Sequence, residues 1–187
     1  MRFEELAIRG VWLIDADLVE DARGVFRRSF CAGEFASRGL TETMIQGNIS
    51  ENPTAGTLRG LHFQVRPFEE AKTLTCLTGA LYDIVVDLRP DSSTFLQWIG
   101  VHISAVDRRS LHVPIGCANG WLTTFPMTTI HYYMSERYDP GSSRGIRYND
   151  PAFQFAWPSE PALISERDRG FQDFDSEALR SSVRGAS

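Results

Sequence analysis

The chain has 187 residues, 42% hydrophobic and 23% charged, the composition of a soluble globular unit able to bury its own core. Its 19 basic and 24 acidic residues leave a formal charge of −5, which excludes the basic stripe that a nucleic-acid backbone needs. No run approaches the ~18 apolar residues of a membrane span, and residues 1–24 hold no apolar signal-like core. The three cysteines, Cys31, Cys76 and Cys117, have no CxxC spacing. They predict reduced, mostly buried thiols in a cytoplasmic protein.

In chain order, EELA (4–7) is a helical candidate, followed by short runs rich in Val, Ile, Thr and aromatics. VWLID (11–15), LTCL (74–77), LYDIVVDL (81–88), WIGVHIS (98–104), SLHVPI (110–115), WLTTF (121–125) and TTIHYYM (128–134) are predicted strands. Thr78-Gly79, Arg89-Pro90-Asp91, 105–109, Gly116 and Asp139-Pro140-Gly141 supply the breaks between them. PGSSRGIRYNDPAF (140–153) reads as a turn-rich loop, WP (157–158) as the end of a strand, and SEALRSSVRG (176–185) as a second helical candidate. Short strands at this spacing predict an all-β sandwich or jelly roll with short peripheral helices. One domain is expected across 1–187, with a flexible tail from about residue 176.

The densest chemistry is GTLRGLHFQ (56–64). A metal site in a β-barrel wants a second imidazole near position 64, where this chain has Gln64, so no metal is expected. Strict alternation puts His62 on one face with Gly60 and Gln64, and Arg59 on the other. Both reach one cavity only if the strand bulges near Gly60. Tyr132 and Tyr133 are adjacent, so one of them faces inward as a core phenol or as a general acid. SERDRG (165–170) taken alone reads as a solvated charged turn around Asp168. Among the 19 basic residues, Lys72 is the one lysine.

DARGVFRRSF (21–30), QGNIS (46–50), GTLRGLHFQ (56–64), EEAKTLTCLTGALYDIVVDLRPDSSTF (69–95), LHVPIGCANGW (111–121), YYMSERYDPGSSRGIRYNDPAF (132–153), WP (157–158) and ISERD (164–168) occur in this order. The series resembles the dTDP-4-dehydrorhamnose 3,5-epimerase family over about residues 10–170. The resemblance implies a cupin-type double-stranded β-helix, or jelly roll, acting as a homodimer without cofactor or metal. It implies a nucleotide-sugar substrate, a nucleoside diphosphate linked to a 4-keto-6-deoxyhexose. A ketone at C4 acidifies the hydrogens on C3 and C5. Enolisation followed by reprotonation on the opposite face inverts either centre.

By the same resemblance His62 is the base, oriented by Asp168, and Tyr132 the acid on the opposite face. Lys72 stabilises the enolate oxygen. Arg59 and Arg23 hold the diphosphate. Phe26 and Tyr138 flank the nucleobase, while Gln46 and Asn48 contact nucleotide or sugar. The chain departs from the family pattern where AHG becomes Ala118-Asn119-Gly120, and where glutamates become Arg28 and Ser143. The segment between Asn48 and Gly56 is also one residue longer than the commonest form. Asn119 can still donate to a keto oxygen but carries no charge, so inversion at C3, at C5 or at both stays open. Arg28 and Ser143 point toward a changed partner, so GDP- and CDP-linked sugars stand beside dTDP-linked ones. The rivals are a mono-epimerase, a keto-sugar isomerase and a non-catalytic sugar-nucleotide-binding barrel.

Overall fold

The computed structural model describes residues 1–177 and 179. In chain order its strands begin with β1 (Arg2–Glu5), β2 (Trp12–Asp15), β3 (Leu18–Asp21) and β4 (Gly24–Arg27). After helix α1 (Ala32–Ala36) come β5 (Gln46–Asn52), β6 (Thr57–Gln64), β7 (Lys72–Thr78), β8 (Ala80–Asp87) and β9 (Trp98–Ser104). Then follow β10 (Arg109–Val113), β11 (Cys117–Thr123), β12 (Thr128–Met134), β13 (Ser143–Gly145), β14 (Leu163–Ile164) and helix α2 (Glu166–Arg169). One sheet runs β1-β2-β10-β7-β12-β5. The other runs β13-β6-β11-β8-β9, with β14 pairing in parallel beside β6. β3 and β4 form a separate hairpin. This is the expected all-β jelly roll of cupin type.

Side-chain alternation explains the core. Leu74 and Cys76 from β7, Leu111 and Val113 from β10 and Ile130 from β12 meet Leu81 and Val85 from β8 and Trp121 from β11. Each buried aliphatic side chain contributes roughly 1.5–3 kcal/mol relative to exposure. The run LYDIVVDL is almost continuously apolar because β8 is covered on both faces. Its Ile84 and Val86 pack outward under Ile146, Phe153, Phe155 and Trp157. The indole nitrogens of Trp98 and Trp157 donate to Phe153 O (2.9 Å) and Tyr148 O (2.8 Å), pinning that cover in place.

Three local expectations are corrected. EELA contributes to edge strand β1, paired with β2 from Arg2↔Asp15 to Glu5↔Trp12. Pairing across a sheet outweighs the helix propensity of four residues. Trp157 lies in a covering segment rather than at a strand end. SERDRG forms the short helix α2 instead of a solvated turn, because Asp168, 4% exposed, is drawn inward. The 140–153 loop is turn-rich as expected and contains only the short β13. The tail and the second helical candidate fall largely outside the described residues. Among the described residues no helix is long and apolar enough to cross a membrane.

Two polar devices hold the frame. Asp87, fully buried, accepts from Arg89 (2.8 Å), Ser92 (2.6 Å) and Thr94 (2.7 Å). Burial alone would raise its carboxyl, but those donors hold it down at about 2. The Val-Asp-Leu-Arg motif is therefore a structural turn. On the outer face of the other sheet, His112 is 1% exposed, meets Thr73 Oγ1 at 2.9 Å and packs edge-on against Phe35. Burial pushes its imidazole down to about 4.

An unfolded histidine titrates near 6.5, so between that pH and 4 the unfolded chain binds the proton and the folded chain does not. Stability is therefore complete above pH 6.5 and falls as the pH drops toward 4, by about 3 kcal/mol in all. Urea unfolding of the wild type and His112→Gln at pH 7 and pH 4.5 is expected to show most of that pH-dependent loss in the wild type alone. Equal losses in both proteins would refute this assignment.

Candidate active site

The site begins with an irregularity in β6. Opposite β11, Asn119 faces His62 and Trp121 faces Arg59, so two steps on β11 meet three on β6. The extra residue lies at Gly60, whose φ is +119°. This is the bulge that the Arg59–His62 pairing demands. A Cβ at Gly60 would stand 2.5 Å from Gly120 Cα, so glycine is required there. The bulge turns both Arg59 and His62 into one cavity of about 600 Å3, together with Trp121, Tyr132, Arg167 and Asp168.

His62 Nε2 lies 2.8 Å from Asp168 Oδ1. The other carboxylate oxygen accepts the Gly60 N–H at 3.1 Å. Asp168 is fixed in turn by α2, where its own N–H donates to the N-cap Ser165 hydroxyl at 3.1 Å. Burial works to raise the Asp168 carboxyl. The His62 hydrogen bond and charge, the Gly60 N–H and Arg167 outweigh it and hold the group below the ordinary carboxylate range. A carboxylate there can only accept, so Nε2 is the nitrogen that carries a proton toward Asp168, and in the neutral imidazole Nδ1 keeps the lone pair.

Tyr132 stands on β12, in the sheet facing His62, and Tyr133 points to the outer face against Phe30. Burial raises the Tyr132 phenol; the nearby Arg59 charge opposes this and Glu70 adds to it. The hydroxyl therefore keeps its proton at neutral pH. A second cavity of about 220 Å3 adjoins the first, sharing His62, Trp121, Tyr132 and Arg167, and is lined further by Lys72, Glu70 and Asn119. Lys72 Nζ meets His62 O at 3.0 Å, Glu70 Oε1 at 3.1 Å and Asn119 Oδ1 at 3.2 Å. An ammonium has three N–H groups, so all of them have partners within the chain.

Asn119 Nδ2 donates to Asp83 Oδ2 at 3.1 Å. Asn119 thus bridges Lys72 to Asp83, with one amide N–H directed at a carboxyl rather than a ligand. Asp83 is fully buried, and burial pushes its carboxyl well above the usual range against the opposing Asn119 hydrogen bond and Lys72 charge.

The chain thus brings His62, Asp168, Tyr132, Lys72, Arg59 and Asn119 to one recess. Tyr138 joins them at the rim, where its hydroxyl accepts from Arg167 at 3.1 Å. Gln46 and Asn48 line neither cavity. They sit on β5 beside β12, bonded to each other at 2.9 Å, and Gln46 Oε1 accepts the Tyr138 N–H at 2.9 Å. Arg23 and Phe26 lie elsewhere, in a separate hollow on the β3–β4 hairpin. Phe26 is 72% exposed and Arg23 pairs with Asp21. Arg28 also lies away from the recess and pairs with Glu34 at 3.0 Å, whereas Ser143 is at the recess and accepts from Arg167 at 2.7 Å.

Sequence reasoning missed Arg167, Glu70, Asp83 and Trp121. A carboxylate inside the apolar run LYDIVVDL was a usable signal for Asp83. Arg167, taken as part of a charged turn, had none. Among the described residues no group of three or more His, Cys, Asp or Glu is placed to hold a metal ion.

Residues 5–176 match the family model of dTDP-4-dehydrorhamnose 3,5-epimerase. A protein of that name from Sinorhizobium fredii is 36% identical over 169 residues, 90% of this chain and 87% of the relative. A dTDP-4-dehydrorhamnose 3-epimerase from Streptomyces niveus is also 36% identical, over 90% of this chain and 82% of its own. The crystal structure of a dTDP-4-dehydrorhamnose 3,5-epimerase from Bacillus anthracis, with TDP and pyrophosphate bound, superposes with a TM-score of 0.89 at 36% identity. It covers 92% of this chain and 99% of that one. On this extent of agreement, the chain is an isomerase and belongs to the dTDP-4-dehydrorhamnose 3,5-epimerase family.

Proposed function

We propose that the chain epimerises C3, C5 or both in a dTDP-linked 4-keto-6-deoxyhexose. The observation that carries the reading is the His62–Asp168 pair facing Tyr132 from the opposite sheet, across a recess that also holds Lys72. His62 Nδ1 takes the proton from the carbon beside the ketone, and the C–H electrons move onto the C4 oxygen. Lys72 supplies positive charge near that oxygen and exchanges one of its three protein partners for it. Tyr132 returns a proton to the other face. Solvent then relieves His62 of its proton and restores the phenol. Arg59 and Arg167 at the mouth hold the diphosphate.

A keto-sugar isomerase would move the carbonyl, and a proton donor and base on opposite faces favour inversion instead. A binding barrel has no use for this set of groups. The relatives named as 3,5-epimerase and 3-epimerase are equally similar, so the number of centres rests on the chain's own Asn119. The working form is a homodimer in which the exposed β3–β4 hairpin, with Val19, Val25 and Phe26 uncovered, carries Arg23 and Phe26 to the partner's recess. The free thiols of Cys31, Cys76 and Cys117 suit a reducing cytoplasm.

The test is incubation with dTDP-4-keto-6-deoxyglucose in deuterium oxide, followed by mass. Deuterium at two carbons assigns both centres to the enzyme, and at one carbon a mono-epimerase. None in folded wild type overturns the dTDP reading and moves the search to GDP- and CDP-linked sugars. In Tyr132→Phe, formation of the inverted product is expected to fall by about 10²-fold or more, while exchange on the His62 face continues. Equal loss of both would show that Tyr132 is not the opposite-face acid.

A further inference from the structure

Two buried polar atoms beside the reacting groups have no partner: Glu70 Oε2 and the Trp121 indole Nε1. Glu70 is 6% exposed and Trp121 7%. Both side chains line the inner cavity with Lys72, Asn119 and Tyr132. A further such atom among the described residues, Trp12 Nε1, lies on β2 and borders neither cavity of the site. Unmet buried donors and acceptors cost stability, and each calls for a partner that the chain's own side chains do not supply. Lys72 meets Glu70 through Oε1, and its other N–H groups are directed at His62 O and Asn119 Oδ1.

We infer that Glu70 Oε2 and Trp121 Nε1 together receive a ring hydroxyl of the bound sugar, which makes Glu70 and Trp121 specificity-determining residues of this chain. The inference rests on the epimerase reading for the placement of the sugar in the recess. The pair selects its substituent chemically. A carboxylate oxygen needs a donor and an indole N–H needs an acceptor. A hydroxyl is both at once. An ammonium group would satisfy Glu70 and leave the indole unpaired, a carbonyl oxygen would do the reverse, and a methyl group would satisfy neither. A site built from buried polar groups rejects the analogue lacking the matching hydroxyl far more strongly than an apolar pocket rejects a size change.

The experiment is calorimetric titration of the wild type, Trp121→Phe and Glu70→Gln with dTDP-glucose and, separately, with dTDP. Phe keeps an aromatic ring against Tyr132 without the N–H, and Gln keeps an oxygen for Lys72 while changing the free oxygen to a donor. Each variant is expected to bind dTDP-glucose about tenfold more weakly, with dTDP affected less than about twofold. Equal weakening of both ligands, or no change in either, overturns the inference. Wild-type deuterium exchange with an unchanged KM in both variants also overturns it and leaves the epimerase reading standing. Absence of wild-type exchange, with selective loss of dTDP-glucose binding in the variants, overturns the epimerase reading and supports the hydroxyl site.

Discussion

His62→Gln is expected to lower turnover by about 10³-fold, within the 10²–10⁴-fold range of a positioned general base. The substitution is chosen for its geometry. The glutamine amide can still donate toward Asp168, so the buried carboxylate, 4% exposed, is not left without a partner. What is lost is the lone pair at the position of Nδ1. Deuterium exchange and product formation should fall together, because both begin with removal of the same proton. Binding of dTDP should hold within about twofold. A variant that still exchanges at near wild-type rate would remove His62 from the mechanism, and one that fails to bind dTDP would point to a collapsed recess.

Asp168→Asn should act through the imidazole rather than on the substrate. An amide donating toward His62 would favour the wrong tautomer, and its loss in kcat should exceed its change in KM.

Gly60→Ala is expected to cost on the order of 4 kcal/mol, combining a left-handed backbone forced on a side-chain-bearing residue with overlap against fixed backbone. The new Cβ would meet Gly120 Cα at 2.5 Å and the Asn119 carbonyl oxygen at 2.9 Å, and neither neighbour is a side chain able to swing away. The site suffers as well, since the Gly60 N–H orients Asp168. Urea unfolding reads the stability, and activity measured on the fraction that stays folded reads the rest. Gly33→Ala in α1 is the contrast: nothing lies within 4 Å of its Cβ, and alanine in a helix gains about 0.5–1 kcal/mol. Comparable stability of Gly60→Ala and wild type would mean that the bulge is not fixed by glycine.

Much of this molecule was legible in its residues. Alternating β-branched and aromatic runs bounded by turns are a local signal, and all seven predicted strands appear where those runs lie. Once Arg59 and His62 are assigned to one cavity, period-two geometry requires a bulge near Gly60, and β6 has its irregularity there. Motif order pointed to the family, and with it to His62, Lys72, Tyr132 and Asp168.

Other features were decided only by pairing and packing at long range. Asp168, which read alone was part of a solvated turn, lies 106 residues after His62 and reaches it because β14 and α2 dock beside β6. EELA became an edge strand because β2 was there to pair with it. Asn119 was read as a donor to the ligand, yet in the folded chain it lies between the ammonium of Lys72 and the carboxyl of Asp83, both of which need a partner once buried. Arg23 and Phe26, grouped with the site by motif, stand on a hairpin apart from it. Periodicity, turns and composition act within a few residues of chain and can be read along it. Burial, charge pairing and the meeting of distant strands depend on which segments share a cavity, and the fold alone decides that.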